Sequence, residues 1–297
     1  MRPTQARRTR TRRSGITINN SSHSEESPSI LAKAFDLLRA FDASHRVMTL
    51  TELSRAANLP KSTVHRLLAR LVELDAIEHI GEGYRVSVSL AQLASFAPAN
   101  LMRELALPHM ARLHEWSGQT VVLGVLRDFD VVVLEQVGSL EWHSQRVLVG
   151  ARLPATSAAL GKALLAWDPR DVLETVLPRP LPAVTPASIT DPDVLLDQLR
   201  HVRADNLARQ FDETLEGVAG IASAIIIQGD AVGALGLIYP SSTRLRPQAP
   251  DALRTTAARL AVQIRETLAA AGQERRWMPG REVGAPGPDE TDQHEIT

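Results

Sequence analysis

The sequence predicts an α+β chain with two folded parts, and three observations carry that expectation. A helix-period stretch, "LPKSTVHRLLARL" (59–71), lies between an earlier helical segment and a short hairpin. Two pairs of β-branched runs, "QTVVLGVLRDFDVVVLEQV" and "GVAGIASAIII" with "AVGALGLIYP", each fold back on a tight turn. Helical segments separate and follow these hairpins, the order expected of an antiparallel sheet covered by helices. A length of 297 residues supports two domains.

The elements follow in order. Residues 1–28 hold six arginines before Gly15 and almost no hydrophobic side chain, so they are expected to form a disordered basic arm. Ile30, Ala34, Leu37, Leu38 and Phe41 share one stripe and predict a first helix. Thr49-Leu50-Thr51-Glu52 is a capping box that opens a second helix. Pro60 suits the first turn of a third, which runs to about Leu74. "AIEHIGEGYRV" then predicts two short strands around Gly81-Glu82-Gly83. Three helices and a β-hairpin with a short turn between helices two and three make a winged helix-turn-helix, placed at 29–90.

The third helix is unusual in its charge. Val64, Leu67, Leu68 and Leu71 fall at i, i+3, i+4 and i+7 and predict a buried face. Lys61, Ser62, Thr63, His65, Arg66 and Arg70 make up the rest, with no acid between 61 and 70. A carboxylate there would face phosphates, so the pattern predicts double-stranded operator DNA as partner, with these six residues in contact. On the hairpin, Arg85, in preference to Tyr84, is expected to touch phosphate or the minor groove.

Residues 91–118 are expected to form a connector helix interrupted at Pro98, leading into a second domain at 119–272. There the hairpin turn is Arg127-Asp128-Phe129-Asp130, and "SQRVLVG" (144–150) predicts a third short strand. Helices are expected at Ser157–Trp167, Pro169–Val176 and Asp191–Leu207. The second hairpin turns at Gln228-Gly229-Asp230, and residues 249–272 form a long amphipathic helix. The Gly, Pro and acid content of 273–297 predicts a disordered tail.

Composition excludes several classes. Lys+Arg 33 against Asp+Glu 34 leaves no overall basic surface, so nucleic-acid contact has to be local. No run approaches the roughly 18 apolar residues of a membrane span, and the arginine-rich start lacks a signal peptide's apolar segment. A soluble, cytoplasmic protein is expected. The chain has no cysteine, which excludes disulfides and thiolate metal sites, and neither a metal nor an organic cofactor is expected. His109 and His114 have no third ligand near them in sequence and read as surface or interface residues. The alternative class is a small-molecule-processing enzyme using the C-terminal α+β domain. Against it, Asp128 and Asp130 sit in a turn, no serine-histidine-acid pattern appears, and "LGKALL" lacks the upstream glycine of a phosphate loop.

Together the order of elements and four local words resemble the IclR family of bacterial transcriptional regulators across residues 29–272. The words are "SILAKAFDLLRAF", "LTELSRAANLPKSTVHRLLARLVELDAI", "GARLPATSAALGKALLA" (150–166) and "DETLEGVAGIASAI" (212–225). The resemblance implies a GAF-like effector domain, a homodimer or dimer of dimers, and a small-molecule effector held over the sheet. By motif it implies effector contacts from Leu153, Ala159, Leu160, Glu213, Val218, Gly220, Gly236 and Ile238. The chain departs from the family pattern at Gly220, where cysteine is frequent, and at Ser223-Ala224, where alanine-proline is. A small oxoacid needs several paired donors; this lining offers few donors and more room, so a bulky, largely apolar or aromatic effector is expected. Lys162 reads first as a snorkelling or salt-bridged structural lysine and second as a cation that neutralises an anionic effector, and Asn206 reads as a left-handed helix end where the family has glycine.

Overall fold

The structure is a computed structural model and describes residues 29–41, 45–139, 149–168, 173, 177 and 180–270. The expected basic arm, the tail beyond 272 and most of the Pro169–Val176 helix lie outside those residues.

Helix α1 (Ile30–Arg39) is capped by the Ser29 hydroxyl, which accepts from the Ala32 amide at 3.1 Å. Strand β1 (Met48–Thr49) leads into α2 (Leu50–Ala56), whose capping box is complete: Thr49 Oγ1 accepts from the Glu52 amide, and Glu52 accepts from the Thr49 amide at 2.8 Å. Asn58 takes the left-handed conformation between α2 and α3 (Lys61–Glu73), and the Ser54 hydroxyl donates to the Leu59 carbonyl at 2.6 Å. The wing is β2 (Ile77–Ile80) paired with β3 (Gly83–Val86), and β1 adds to β3 as a third strand that the sequence pattern does not reveal. Val64, Leu67, Leu68 and Leu71 are buried with Leu37, Leu53 and Ile77 in one cluster. Each full burial of this kind contributes about 1.5–3 kcal/mol.

The connector is two helices, α4 (Val88–Ser95) and α5 (Pro98–Ser117), with Pro98 opening the second. Gly118 ends α5 at φ 68°, a left-handed position that glycine adopts without strain.

The second domain contains β4 (Thr120–Arg127), β5 (Asp130–Val137), β6 (Arg152–Pro154), α6 (Ala159–Leu165), α7 (Pro192–Asp205), β7 (Ala208–Phe211), β8 (Val218–Ile227), β9 (Asp230–Pro240) and α8 (Ala249–Ala270). Its six strands form one antiparallel sheet in the order β6-β5-β4-β9-β8-β7. This is the α+β, GAF-like arrangement the resemblance implies. One face carries α6 and α7, and the other carries α5 and α8, each over its own apolar cluster. The third strand runs over 152–154, later than the predicted 144–150, most of which lies outside the described residues. Helix α6 is shorter than Ser157–Trp167 because residues 155–157 form a turn. Asn206 is left-handed, as expected, and its amide exchanges hydrogen bonds with the Ala224 main chain at 2.9 and 3.0 Å.

Candidate functional site

Burying the four apolar side chains of α3 turns its other residues outward. Lys61, Ser62, His65, Arg66 and Arg70 are exposed, and Thr63 is half-buried. No acid lies in the first turn and no side chain caps it, since Pro60 stands at the cap position. Main-chain N–H groups and cations therefore point the same way, an arrangement that favours anions. The second half differs. Glu73, just beyond the acid-free stretch, is bonded to Arg70. On the wing, Arg85 donates to Glu78 from Nε at 2.7 Å, across the β2–β3 pairing. Tyr84 is half-buried under the His79 ring, with centroids 4.7 Å apart, so it braces the wing.

A second site lies between the sheet and α6. Leu153, the first turn of α6 (Ala158, Ala159, Leu160), Gln210, Thr214, Leu215, Val218, Gly220, Ile221, Gly236, Leu237 and Ile238 line a narrow cavity of about 30 Å³. Seven of the eight motif-derived positions meet there. Glu213 does not line it: its carboxylate is turned away and held by Lys162. Six lining residues lie outside that set: Ala158, Ile221 and Leu237 are immediate neighbours of motif positions, Gln210 comes from β7, and Thr214 and Leu215 come from a loop with no periodic signal.

Two glycines shape the floor. A Cβ at Gly220 would meet only ordinary contacts, the nearest at 3.4 Å. A Cβ at Gly236 would come within 3.2 Å of Leu160 Cδ2, so Leu160 leans into the space that a side chain there would occupy. The lining is as apolar as expected, but the extra room is filled by Leu160. The two amide atoms of Gln210 are engaged, Nε2 donating to the Val218 carbonyl and Oε1 accepting from the Glu213 amide, both at 3.1 Å.

Behind this wall Lys162 is fully buried. Its Nζ donates to both Glu213 oxygens at 2.6 and 2.8 Å and to Gln198 Oε1 at 3.1 Å. Burial pushes the lysine below its ordinary value and Glu213 pulls it back up. Thr185 and Ser188 donate to the Glu213 carbonyl, and Thr185 also to that of Asp212, so the 212–217 loop is held at several points. A wider cleft of about 190 Å³ lies between α8 and the β8–β9 turn, with Arg265 as its one charged lining residue. His109 bonds Gln263 and His114 the Gln119 carbonyl, each at 2.7 Å, and no metal-binding cluster occurs among the described residues.

The family of this fold is decided by two matches along the chain. Residues 30–81 match the IclR helix-turn-helix domain, and residues 98–265 match the bacterial transcriptional regulator IclR C-terminal domain. The chain belongs to the IclR family. It is a DNA-binding transcriptional regulator and not an enzyme. Among its relatives, the regulator TtgV of Pseudomonas putida is 29% identical over 66% of this chain and 76% of its own. The glycerol operon regulatory protein of Streptomyces coelicolor is 30% identical over 76% and 92%. An IclR homologue of Microbacterium hydrocarbonoxydans, solved in complex with 4-hydroxybenzoate, superposes with a TM-score of 0.71 at 30% identity, covering 80% of this chain and all of that one. Among the described residues of this IclR-family chain, no helix is long and apolar enough to cross a membrane.

Proposed function

We propose that this IclR-family regulator binds operator DNA through the exposed face of α3 and adjusts that binding to a bulky, largely apolar or aromatic effector. The observation that supports the effector class is the lining: Gln210 and Thr214 are its polar side chains, and both amide atoms of Gln210 already have partners. A small oxoacid would lose its hydration there without enough donors in return. An aromatic ring requires Leu160 or the 212–217 loop to move, because the cavity holds no more than a water or two. The Microbacterium homologue's 4-hydroxybenzoate complex makes aromatic acids the first compounds to try. Calorimetry with aromatic and small oxoacid ligands tests the class. Tight binding of pyruvate or glyoxylate with none of aromatic compounds rejects it.

The functional unit is a homodimer or a dimer of dimers. Helix α4 buries none of its residues within one chain, and Phe96, Leu93 and Val88 stay 84%, 67% and 67% exposed. Leu31 and Phe35 of α1 add to the exposed apolar surface of this half. Surface of this kind calls for a partner, and two copies would present two α3 helices to a pseudo-palindromic operator. Recovering and sequencing fragments bound from genomic DNA tests this: a short pseudo-palindrome is expected, and enrichment of single half-sites alone rejects the paired arrangement.

A further inference from the structure

The surface offered to DNA is graded in charge. Arg66, Arg70 and Glu73 follow one another along one line of α3, at i, i+4 and i+7. Among the described residues Arg66 has no acidic partner, whereas Arg70 is bonded to Glu73. Glu78 and Arg85 face each other in register on the wing, joined from both Nε and Nη2 at 2.7 and 2.6 Å. The wing tip between them adds a further exposed acid, Glu82. Two of the four cations expected to grip DNA are thus neutralised within the chain, and both belong to the C-terminal half of α3 and the wing.

Exposed ion pairs of this kind contribute little to stability. Their larger consequence is electrostatic. Sequence-independent DNA affinity comes from cations that displace counterions from phosphates. A guanidinium already holding a carboxylate displaces few. If it swings to a phosphate, the freed carboxylate stays within a Debye length of about 8–10 Å and opposes the contact. Lys61 and Arg66 carry no such restraint.

We propose that Glu73 and Glu78 restrain the sequence-independent affinity of this domain for DNA, leaving the phosphate grip to Lys61 and Arg66 in the first half of α3. The proposal rests on the DNA-binding reading above. A regulator gains from this because random genomic sites compete with the operator, and their occupancy depends almost wholly on the phosphate contribution. Glu73 lies at the helix C-terminus, where losing a negative charge does not weaken the helix. Replacing it by glutamine therefore changes charge rather than fold.

The experiment is fluorescence anisotropy of the full chain on a random-sequence duplex, titrated with salt. The Glu73→Gln/Glu78→Gln variant is expected to bind about tenfold tighter at moderate salt, with a slope steeper by up to about 0.9 for each freed arginine. Arg66→Ala is expected to bind more weakly, and Glu115→Gln, an exposed acid on α5, to match the unmodified chain. Curves for the double variant that superpose on the unmodified protein, while Arg66→Ala still weakens binding, overturn the restraint alone. If the unmodified protein ignores duplex DNA even at low salt, the DNA-binding reading falls first.

Discussion

At the scale of single residues the Lys162–Glu213 pair has the largest consequence. Both groups are buried, so neither charge has water to fall back on when the other is removed. Glu213→Ala should cost about 3–5 kcal/mol, read from denaturant unfolding. Its pH dependence has a definite sign. Glu213 is what raises the lysine against the lowering effect of burial. Without it the folded variant binds that proton more weakly than the unfolded chain, whose lysine titrates near 10.5. As pH approaches that ordinary value from below, the unfolded state holds more protons, so stability rises with pH. The deficit of Glu213→Ala should therefore narrow as pH rises toward the ordinary lysine value; a deficit that widens rejects the assignment. The lysine's structural role is legible in the sequence, from its place inside a helix after Gly161. Its partner is not, because 51 residues separate them and only the return of β7 beside α6 joins them. The same return explains why Glu213 resembles a ligand contact in sequence: its neighbours Thr214 and Leu215 do line the cavity.

At the scale of elements, α3 is the most legible and the most exposed to a decisive substitution. Its heptad of apolar positions predicts the buried face residue by residue, because helix periodicity is a local property that needs no tertiary partner to be read. Leu68 is fully buried, and Leu68→Ala should cost about 2–5 kcal/mol. The loss should fall on the DNA-binding domain, visible as an earlier thermal transition with the second domain's transition unmoved; a single shifted transition for the whole chain would mean the domains melt together. Strand β1 marks the opposite case. Two residues, Met48 and Thr49, carry no alternation to detect, and they become a strand only because β3 offers an edge beside them. The loop at 212–217 is similarly silent, being held by hydroxyls from Thr185 and Ser188 rather than by any pattern of its own.

At the scale of the whole molecule, the two halves are joined by α4 and α5, and these helices have different fates within one chain. Helix α5 is anchored: Met102 sits against Gly233, where a Cβ would come within 2.7 Å of its sulfur, and Arg103 binds Glu135 at 2.6 Å. Helix α4 buries none of its residues, and its first turn is tied instead to the DNA-binding domain, where the Ser87 and Ser89 hydroxyls donate to Asp75. On the proposed effector reading, an effector changes DNA affinity only by its differential affinity for two placements of the DNA-binding domains, and residues 96–97, between an α4 tied to the DNA-binding domain and an α5 packed on the second domain, are where such a change is expected to bend the chain. If a second copy covers α4, Leu93→Glu/Phe96→Glu should abolish self-association, measured by sedimentation, while each domain keeps its own melting behaviour. Operator affinity should then drop by about two orders of magnitude or more, because the second half-site is lost as an intramolecular contact. Affinity for random duplex should fall far less, since each α3 keeps its cations. A variant that sediments as a monomer yet holds the operator unchanged would show that one domain reads the whole site, and the paired model would have to be given up.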